Sequence, residues 1–241
     1  MLANDRPALL GERFDRAVVY ALDAHRRQFR KVAKPSDVQR PGKPIPYAAH
    51  LLGVCAIALE FGADETEAIA ALLHDAVEDQ GGLWRLNDIR DVFGPEVAAI
   101  VEGCTDSFET DEAAQKAPWY DRKRTYIEGL DAHAGDATLL VSASDKLYNA
   151  LATLNDLLRV GESVFGRFKS GKFGTLWYYS ALANAYARRP GRQNEIARRL
   201  RETVNAMAGE PVSERELLSK FAADPNVTER EKGSAGLLPR A

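Results

Sequence analysis

The stretch Leu72-Leu73-His74-Asp75-Ala76-Val77-Glu78-Asp79 sets a His-Asp pair four residues ahead of a Glu-Asp pair. On a helix, residues four apart share a face, so this spacing predicts His74 above Glu78 and Asp75 above Asp79. Three carboxylates and one imidazole fall within six residues, beside Ile69, Leu72, Leu73 and Val77, which favour burial. Buried charge persists when it is paired or when it binds a metal. The stretch therefore reads as the centre of a metal-dependent hydrolytic site.

Outward from it, the periodicity is helical nearly throughout. Phe14, Val18, Val19, Leu22 and His25 recur at three and four residues and predict a first helix ending near Arg30. Residues 31–46 hold four prolines and a glycine and predict a loop. Helices are expected over 47–61, closed by Gly62, and over 66–77, with Asp64 or Thr66 as N-cap. Gly81-Gly82 breaks the chain, and 83–93 forms a short helix ending at Gly94. Pro95 suits the first turn of the next helix, at 96–101. Residues 108–118 are polar and expected to be mobile, and helices follow at 119–130 and 138–158. Residues 160–174 contain four glycines and predict a loop with helical fragments, ahead of helices at 176–189 and 194–207. No alternating strand pattern and no internal repeat stands out. The expectation is an all-α fold: a short extension at 1–9, one helical domain at 10–208, and a disordered or loosely packed tail at 209–241.

Composition narrows the function classes. The 241 residues are 45% hydrophobic and 28% charged, as in ordinary globular domains. Lys plus Arg number 32 against 35 Asp plus Glu, a net charge of -3, without the basic excess of a nucleic-acid binder. No apolar run reaches the roughly 20 residues needed to cross a bilayer, and residues 1–16 lack an apolar signal core. The expectations are a cytoplasmic protein with no nucleic-acid or membrane partner; a homo-oligomer is left open. The two cysteines fit neither a disulfide framework nor a zinc site: Cys55 lies in an apolar run and reads as buried, and Cys104 lies near a helix end.

The four histidines are His25, His50, His74 and His133. His50 opens the second helix. Asp145 follows Leu139-Leu140-Val141 and lies one turn before Asn149, so an otherwise apolar helix shows one Asp and one Asn on a single face. Imidazoles mixed with carboxylates suit Mn²⁺, Fe²⁺ or Zn²⁺ better than Ca²⁺ or Mg²⁺. Taken singly, each residue has a plainer reading: His50 as a structural histidine, Asp145 as a cap, His25 as a core residue, His133 as a solvated loop residue. Trp177-Tyr178-Tyr179 reads as core rather than as a stacking platform. Residues 166–173, GRFKSGKF, approach a P-loop, but Phe173 stands where Ser or Thr must hold Mg²⁺, and no strand precedes them.

Together, His50, His74-Asp75 and Asp145 resemble the H…HD…D pattern of HD-domain phosphohydrolases. The flanking residues sharpen the likeness: His25-x-x-Gln28-x-Arg30-Lys31, Pro46-Tyr47-x-x-His50, His74-Asp75-x-x-Glu78-Asp79 and Asp145-Lys146-Leu147-Tyr148-Asn149. In order and approximate spacing they resemble the hydrolase domain of the RelA/SpoT family, over roughly residues 10–190, and in particular its small Mesh1-type alarmone hydrolases. That resemblance implies an HD-type helical bundle and a Mn²⁺-dependent enzyme, with Zn²⁺ or Fe²⁺ as alternatives. Its reaction would hydrolyse the 3′-pyrophosphate of ppGpp or pppGpp to GDP or GTP and pyrophosphate. It implies metal ligands His50, His74, Asp75 and Asp145, an acid-base pair Glu78 and Asp79, and substrate contacts from Arg30, Lys31, Tyr47, Lys146 and Asn149. Lys123 and Arg124 offer further counter-charge for phosphates. The run between Lys31 and Tyr47 is longer than the family's compact one, and Ala152 stands where a polar residue is common. Two alternatives stay open: an HD phosphohydrolase acting on another nucleotide, such as the 2′-phosphate of NADPH, and a non-catalytic alarmone sensor.

Overall fold

A computed structural model describes residues 9–30, 45–105 and 117–237. Lys31, most of the proline-rich loop and most of the polar segment at 108–118 lie outside the described residues. Within them the chain is helical, without a strand; one isolated antiparallel bridge joins Phe29 to Pro46. The all-α expectation holds.

Helix α1 (Glu12–Ala24) buries Ala17 and Ala21 and stops well before Arg30. His25 begins a turn, and residues 28–30 then run beside 45–47. Arg30 N donates to Ile45 O at 2.9 Å and Tyr47 N to Gln28 O at 3.0 Å. These two bonds fix Arg30 and Tyr47 on either side of the long loop.

Helix α2 (Ala48–Glu60) places Gly53 against the Tyr148 ring, where an added Cβ would sit 2.0 Å from a ring carbon. A glycine inside a helix costs about 1 kcal/mol relative to alanine. Here it lets α2 approach the helix that carries Asp145. Helix α3 (Glu65–Leu73) opens with a capping box: Asp64 accepts from Glu67 N, and Glu67 accepts from Asp64 N. Ala68 to Leu73 are all buried, so α3 runs through the core rather than over it. Full burial of Ile69, Leu72 and Leu73 contributes about 1.5–3 kcal/mol each.

The helix expected to run on through Val77 is interrupted at His74-Asp75. These two residues form a turn, and a short α4 (Ala76–Asp79) resumes beyond it. The backbone stays near helical, and Asp79 N still donates to Asp75 O at 3.0 Å. Gly81, at φ 133°, ends the segment as its sequence predicts. Next come α5 (Gly82–Phe93) and α6 (Pro95–Cys104), with Pro95 in the first turn of α6.

Helix α7 (Trp119–His133) extends past its expected end to include His133. Helix α8 (Asp136–Val160) has 25 residues, about 37 Å of rise, and buries an unbroken run from Thr138 to Asp145. A 3₁₀ turn (Gly161–Arg167) leads to α9 (Gly171–Ala187), which starts five residues earlier than predicted and carries Trp177, Tyr178 and Tyr179 in the core. Helix α10 is Gln193–Ala208.

Of the tail expected to be loose, the described residues 209–237 are instead folded. Ser213 caps α11 (Glu214–Ala223), and α12 (Glu229–Lys232) and a 3₁₀ turn (Gly233–Leu237) follow. Phe221 is buried against Trp119, Tyr120 and Gly174, and Leu217 is buried in the same core. Ser234 N and Oγ donate to Asp121 on α7, and Trp119 N donates to Glu231 at 3.2 Å. Its apolar residues are too sparse for a strong periodic signal, but Leu217, Phe221, Val227 and Ala235 join the core that also holds residues of α7 and α9.

Two apolar cores result, one among α1 to α6 and one among α7 to α11. Helix α8 faces both, supplying Val141 to the first and Leu140, Ala143 and Leu147 to the second. The polar cluster lies where α2, α3 and α8 meet.

Candidate metal centre and active site

His50, on the first turn of α2, is 2% exposed; His74, at the break after α3, is 3% exposed; Asp145, on α8, is 4% exposed. Their ligand atoms all fall within 4.8 Å of one another. The Nε2 atoms of His50 and His74 face each other at 3.2 Å. Asp75 Oδ2 lies 3.1 and 3.2 Å from them, and Asp145 Oδ1 lies 3.4 and 3.6 Å from them. The interruption at His74-Asp75 is what turns adjacent residues toward one point.

The donor set fits a cation. His74 Nδ1 donates to Ala71 O at 2.9 Å, which leaves Nε2 as the atom that takes up a proton or a cation in the cluster. Two imidazole nitrogens and two carboxylates around one small volume suit a borderline divalent ion. The electrostatics agree. Burial disfavours charge on His74, yet Asp75 and Asp145 more than offset it and raise its pKa well above the ordinary value. Burial likewise works against charge on Asp75, and His74 and His50 overcome it, holding the carboxyl well below its usual range. The same opposition lowers Asp145, with Lys146 and the histidines on the favourable side. The fold thus holds negative charge that must be met by a proton or a cation.

The surrounding side chains fix these ligands. Tyr47 donates its hydroxyl to Asp75 Oδ2 at 2.5 Å. Burial and then Asp75 push the Tyr47 pKa far up, so the hydroxyl remains a donor. Asn149 Nδ2 donates to Asp145 Oδ1 at 2.6 Å, and Lys146 Nζ meets Asp145 Oδ2 at 2.5 Å. Lys146, expected as a substrate contact, is therefore engaged behind a ligand and lies over the Tyr126 ring. Tyr126 is itself tied through Ser142 Oγ to Tyr186, at 2.8 and 2.7 Å. Tyr148, which the sequence reading did not assign, backs His50 with ring centroids 5.3 Å apart and donates to Ala49 O.

Arg30 and Asn149 also come together: Arg30 Nη2 donates to Asn149 Oδ1 at 3.0 Å, and the guanidinium lies 5.1 Å from the Tyr148 ring centroid. Its Nη1 is 3.4 Å from His50 Nδ1. Of the acidic pair, Glu78 is half-buried and Asp79 is exposed. Asp79 accepts from Gln28 Nε2 at 2.7 Å, a partner that spacing alone did not reveal. Arg124 pairs with Glu128 on α7, and Lys123 lies over the Tyr178 ring. Lys172 of the P-loop-like run pairs with Glu162.

Comparison with known proteins matches this arrangement. The HD domain model covers residues 17–163. A guanosine-3′,5′-bis(diphosphate) 3′-pyrophosphohydrolase MESH1 from Danio rerio is 36% identical over 144 residues, 59% of this chain and 67% of that protein. The GTP pyrophosphokinase rsh of Brucella melitensis is 32% identical over 135 residues, 56% of this chain but only 16% of that much longer protein. A solved structure described as a metazoan ortholog of SpoT that hydrolyzes ppGpp superposes with a TM-score of 0.60 at 23% identity. It covers 84% of this chain and 99% of that one, which establishes likeness of fold. A Listeria monocytogenes EGD-e structure matches at 28% identity and a TM-score of 0.51, over 65% of this chain and 99% of that one. On the helical architecture, the His50–His74–Asp145 cluster and these matches, the chain belongs to the HD domain family, among the relatives of MESH1.

Proposed function

We propose that this protein is a metal-dependent (p)ppGpp 3′-pyrophosphohydrolase, holding Mn²⁺, or Zn²⁺ or Fe²⁺ in its place, on His50, His74, Asp75 and Asp145. The observation that carries the reading is the convergence of two imidazole Nε2 atoms and two carboxylates, all within 3.1–3.6 Å across the His–Asp pairs. The likeness to MESH1, with the half-buried Glu78 and exposed Asp79 beside the cluster, supports the substrate class.

A divalent ion in such a site polarises a phosphoryl oxygen and lowers the pKa of water bound to it. The residues do the rest. In the reaction, a water oxygen bonds to the phosphorus attached to O3′ and the P–O3′ bond breaks. Glu78 and Asp79 jointly take the proton from the water and return one to O3′. Arg30 and Asn149, already bonded to each other, hold the nucleoside at the rim. Lys31 follows directly and supplies counter-charge. Tyr47 keeps Asp75 oriented. Lys146 holds Asp145 Oδ2, so that Oδ1 stays toward the histidines.

The test is release of GDP and pyrophosphate from ppGpp by purified protein with Mn²⁺, then with chelator. Chelator-sensitive turnover that disappears in Glu78→Ala, with the metal still bound, supports the reading. An intact, metal-loaded protein that leaves ppGpp untouched would sink it. Dephosphorylation of NADPH, or binding of ppGpp without turnover, would then identify the alternative.

A further inference from the structure

Beside the metal cluster, Gln28 joins three side chains that the reaction above leaves unconnected. Its Nε2 donates to Asp79 Oδ2 at 2.7 Å. Its Oε1 lies 2.7 Å from His25 Nδ1 and 2.6 Å from Gln80 Nε2. An ionised carboxylate only accepts, so the Gln28 amide nitrogen must face Asp79. A flipped amide would set its oxygen against the carboxylate and its NH₂ against that of Gln80. With the oxygen fixed toward His25, Nδ1 must carry the ring proton. Burial lowers the His25 pKa and so disfavours a second proton on the ring. Its Nε2 is then a lone pair.

That nitrogen is buried and has no hydrogen-bond partner among the described residues. The His25 ring is 3% exposed and stacks on Tyr47 with centroids 5.0 Å apart and planes 15° apart. Tyr47 in turn donates to Asp75. The electrostatic neighbours of His25 are Asp75, Asp79 and His74, which places the ring on the wall of the active site. A buried acceptor without a partner costs about 1–3 kcal/mol and calls for a donor from water or ligand.

We propose that Gln28 is a positioning residue. It tethers the Asp79 carboxylate to the His25 ring, orienting that carboxylate for proton transfer, and locks His25 as the Nδ1–H tautomer with its Nε2 lone pair presented to the site as an acceptor for a water or substrate donor. The inference deepens the proposed reaction and, for the role of Asp79, rests on it.

Two measurements separate the tether from the reaction. The first is the ring ¹⁵N signals of selectively labelled histidine in the diamagnetic Zn²⁺-loaded protein, which needs no substrate. Wild type is expected to show His25 with a protonated Nδ1 and a bare Nε2. Gln28→Ala is expected to lose that pattern and average between tautomers. Gln28→Glu retains an acceptor for Nδ1–H but sets a second carboxylate against Asp79, so it keeps the ring pattern. The second is the kcat and KM of both variants. Each is expected to lose kcat on the order of 10- to 100-fold, as for displacement of a reacting group, with KM little changed. Gln28 is part-exposed, and unchanged melting temperatures check that both variants fold. An Nε2–H tautomer in wild type, or a Gln28→Ala protein with wild-type ring signals and kcat, overturns the proposal. If wild type fails to turn over ppGpp, the reaction falls and the ring signals alone decide the tether.

Discussion

Tyr47 and Asp75 are joined by a 2.5 Å hydrogen bond to Oδ2, the same oxygen that faces His50 and His74. The phenol is half-buried and its pKa lies far above the physiological range, so it can only donate here. It therefore sets which carboxylate oxygen of Asp75 points at the histidines. Tyr47→Phe keeps the ring stacked on His25 and removes the hydroxyl alone. Loss of such an outer hydrogen bond lowers metal affinity about 10- to 100-fold. Competition against a metal indicator reads the change, and unaltered affinity would show that Asp75 orients itself.

The pKa shifts give the chelated protein a defined pH response. The folded His74 pKa lies well above the ordinary histidine value of 6.5. Its stabilisation is therefore complete below about pH 6.5 and is lost as pH rises through the folded value. Asp75 and Asp145 lie below the ordinary aspartate value of 3.8, so theirs is present above that pH and is lost as pH falls through the folded values. With EDTA, melting temperature should decline on raising pH from about 6.5 toward 9. With bound metal the alkaline decline should shrink, because the cation takes the proton's place, and binding should release protons. Parallel pH profiles with and without metal would contradict this.

Lys146, partly buried, pairs with the buried Asp145, and breaking a largely buried pair from one side costs up to about 3–5 kcal/mol. Asp145→Ala should lose that much in urea denaturation and lose metal binding as well. Lys146→Met should retain more stability but bind metal more weakly, since Asp145 Oδ2 loses its anchor. If Lys146→Met leaves metal affinity intact and raises only KM for ppGpp, the lysine is a substrate contact after all.

Arg30 spans Asn149 and the Tyr148 ring. Hydrogen bonds to a charged group contribute about 1.5–3 kcal/mol, so Arg30→Ala should raise KM for the nucleotide roughly 10- to 100-fold with a smaller change in kcat. Arg30→Lys should restore little, because an ammonium reproduces neither the planar fork nor the stacking. Steady-state kinetics of the two variants decide it.

Phe221 is fully buried against Trp119, Tyr120 and Gly174. Phe221→Ala should cost about 3–5 kcal/mol in chemical denaturation. A loss below about 1 kcal/mol would mean that α11 packs onto the domain without stabilising it.

The sequence by itself determined the helical class, most helix positions and the identity of the chemical residues. These are local properties: apolar spacing, glycine and proline punctuation, and charge placed where burial is expected. His50, His74 and Asp145 were legible because imidazole and carboxylate are conspicuous inside apolar runs, and the tertiary structure brings them together. It could not show that α3 stops at Leu73, since no breaker residue marks the turn at His74-Asp75. Nor could it show that Lys146 turns inward to Asp145, or that Gln28 binds Asp79, 51 positions away. The folded tail has the same cause: Leu217 and Phe221 form no strong periodic face of their own, and they are buried only because α7 and α9 provide the surface that receives them. Local pattern decides what each segment can bury, whereas which polar atoms finally face one another depends on the packing of segments remote in sequence.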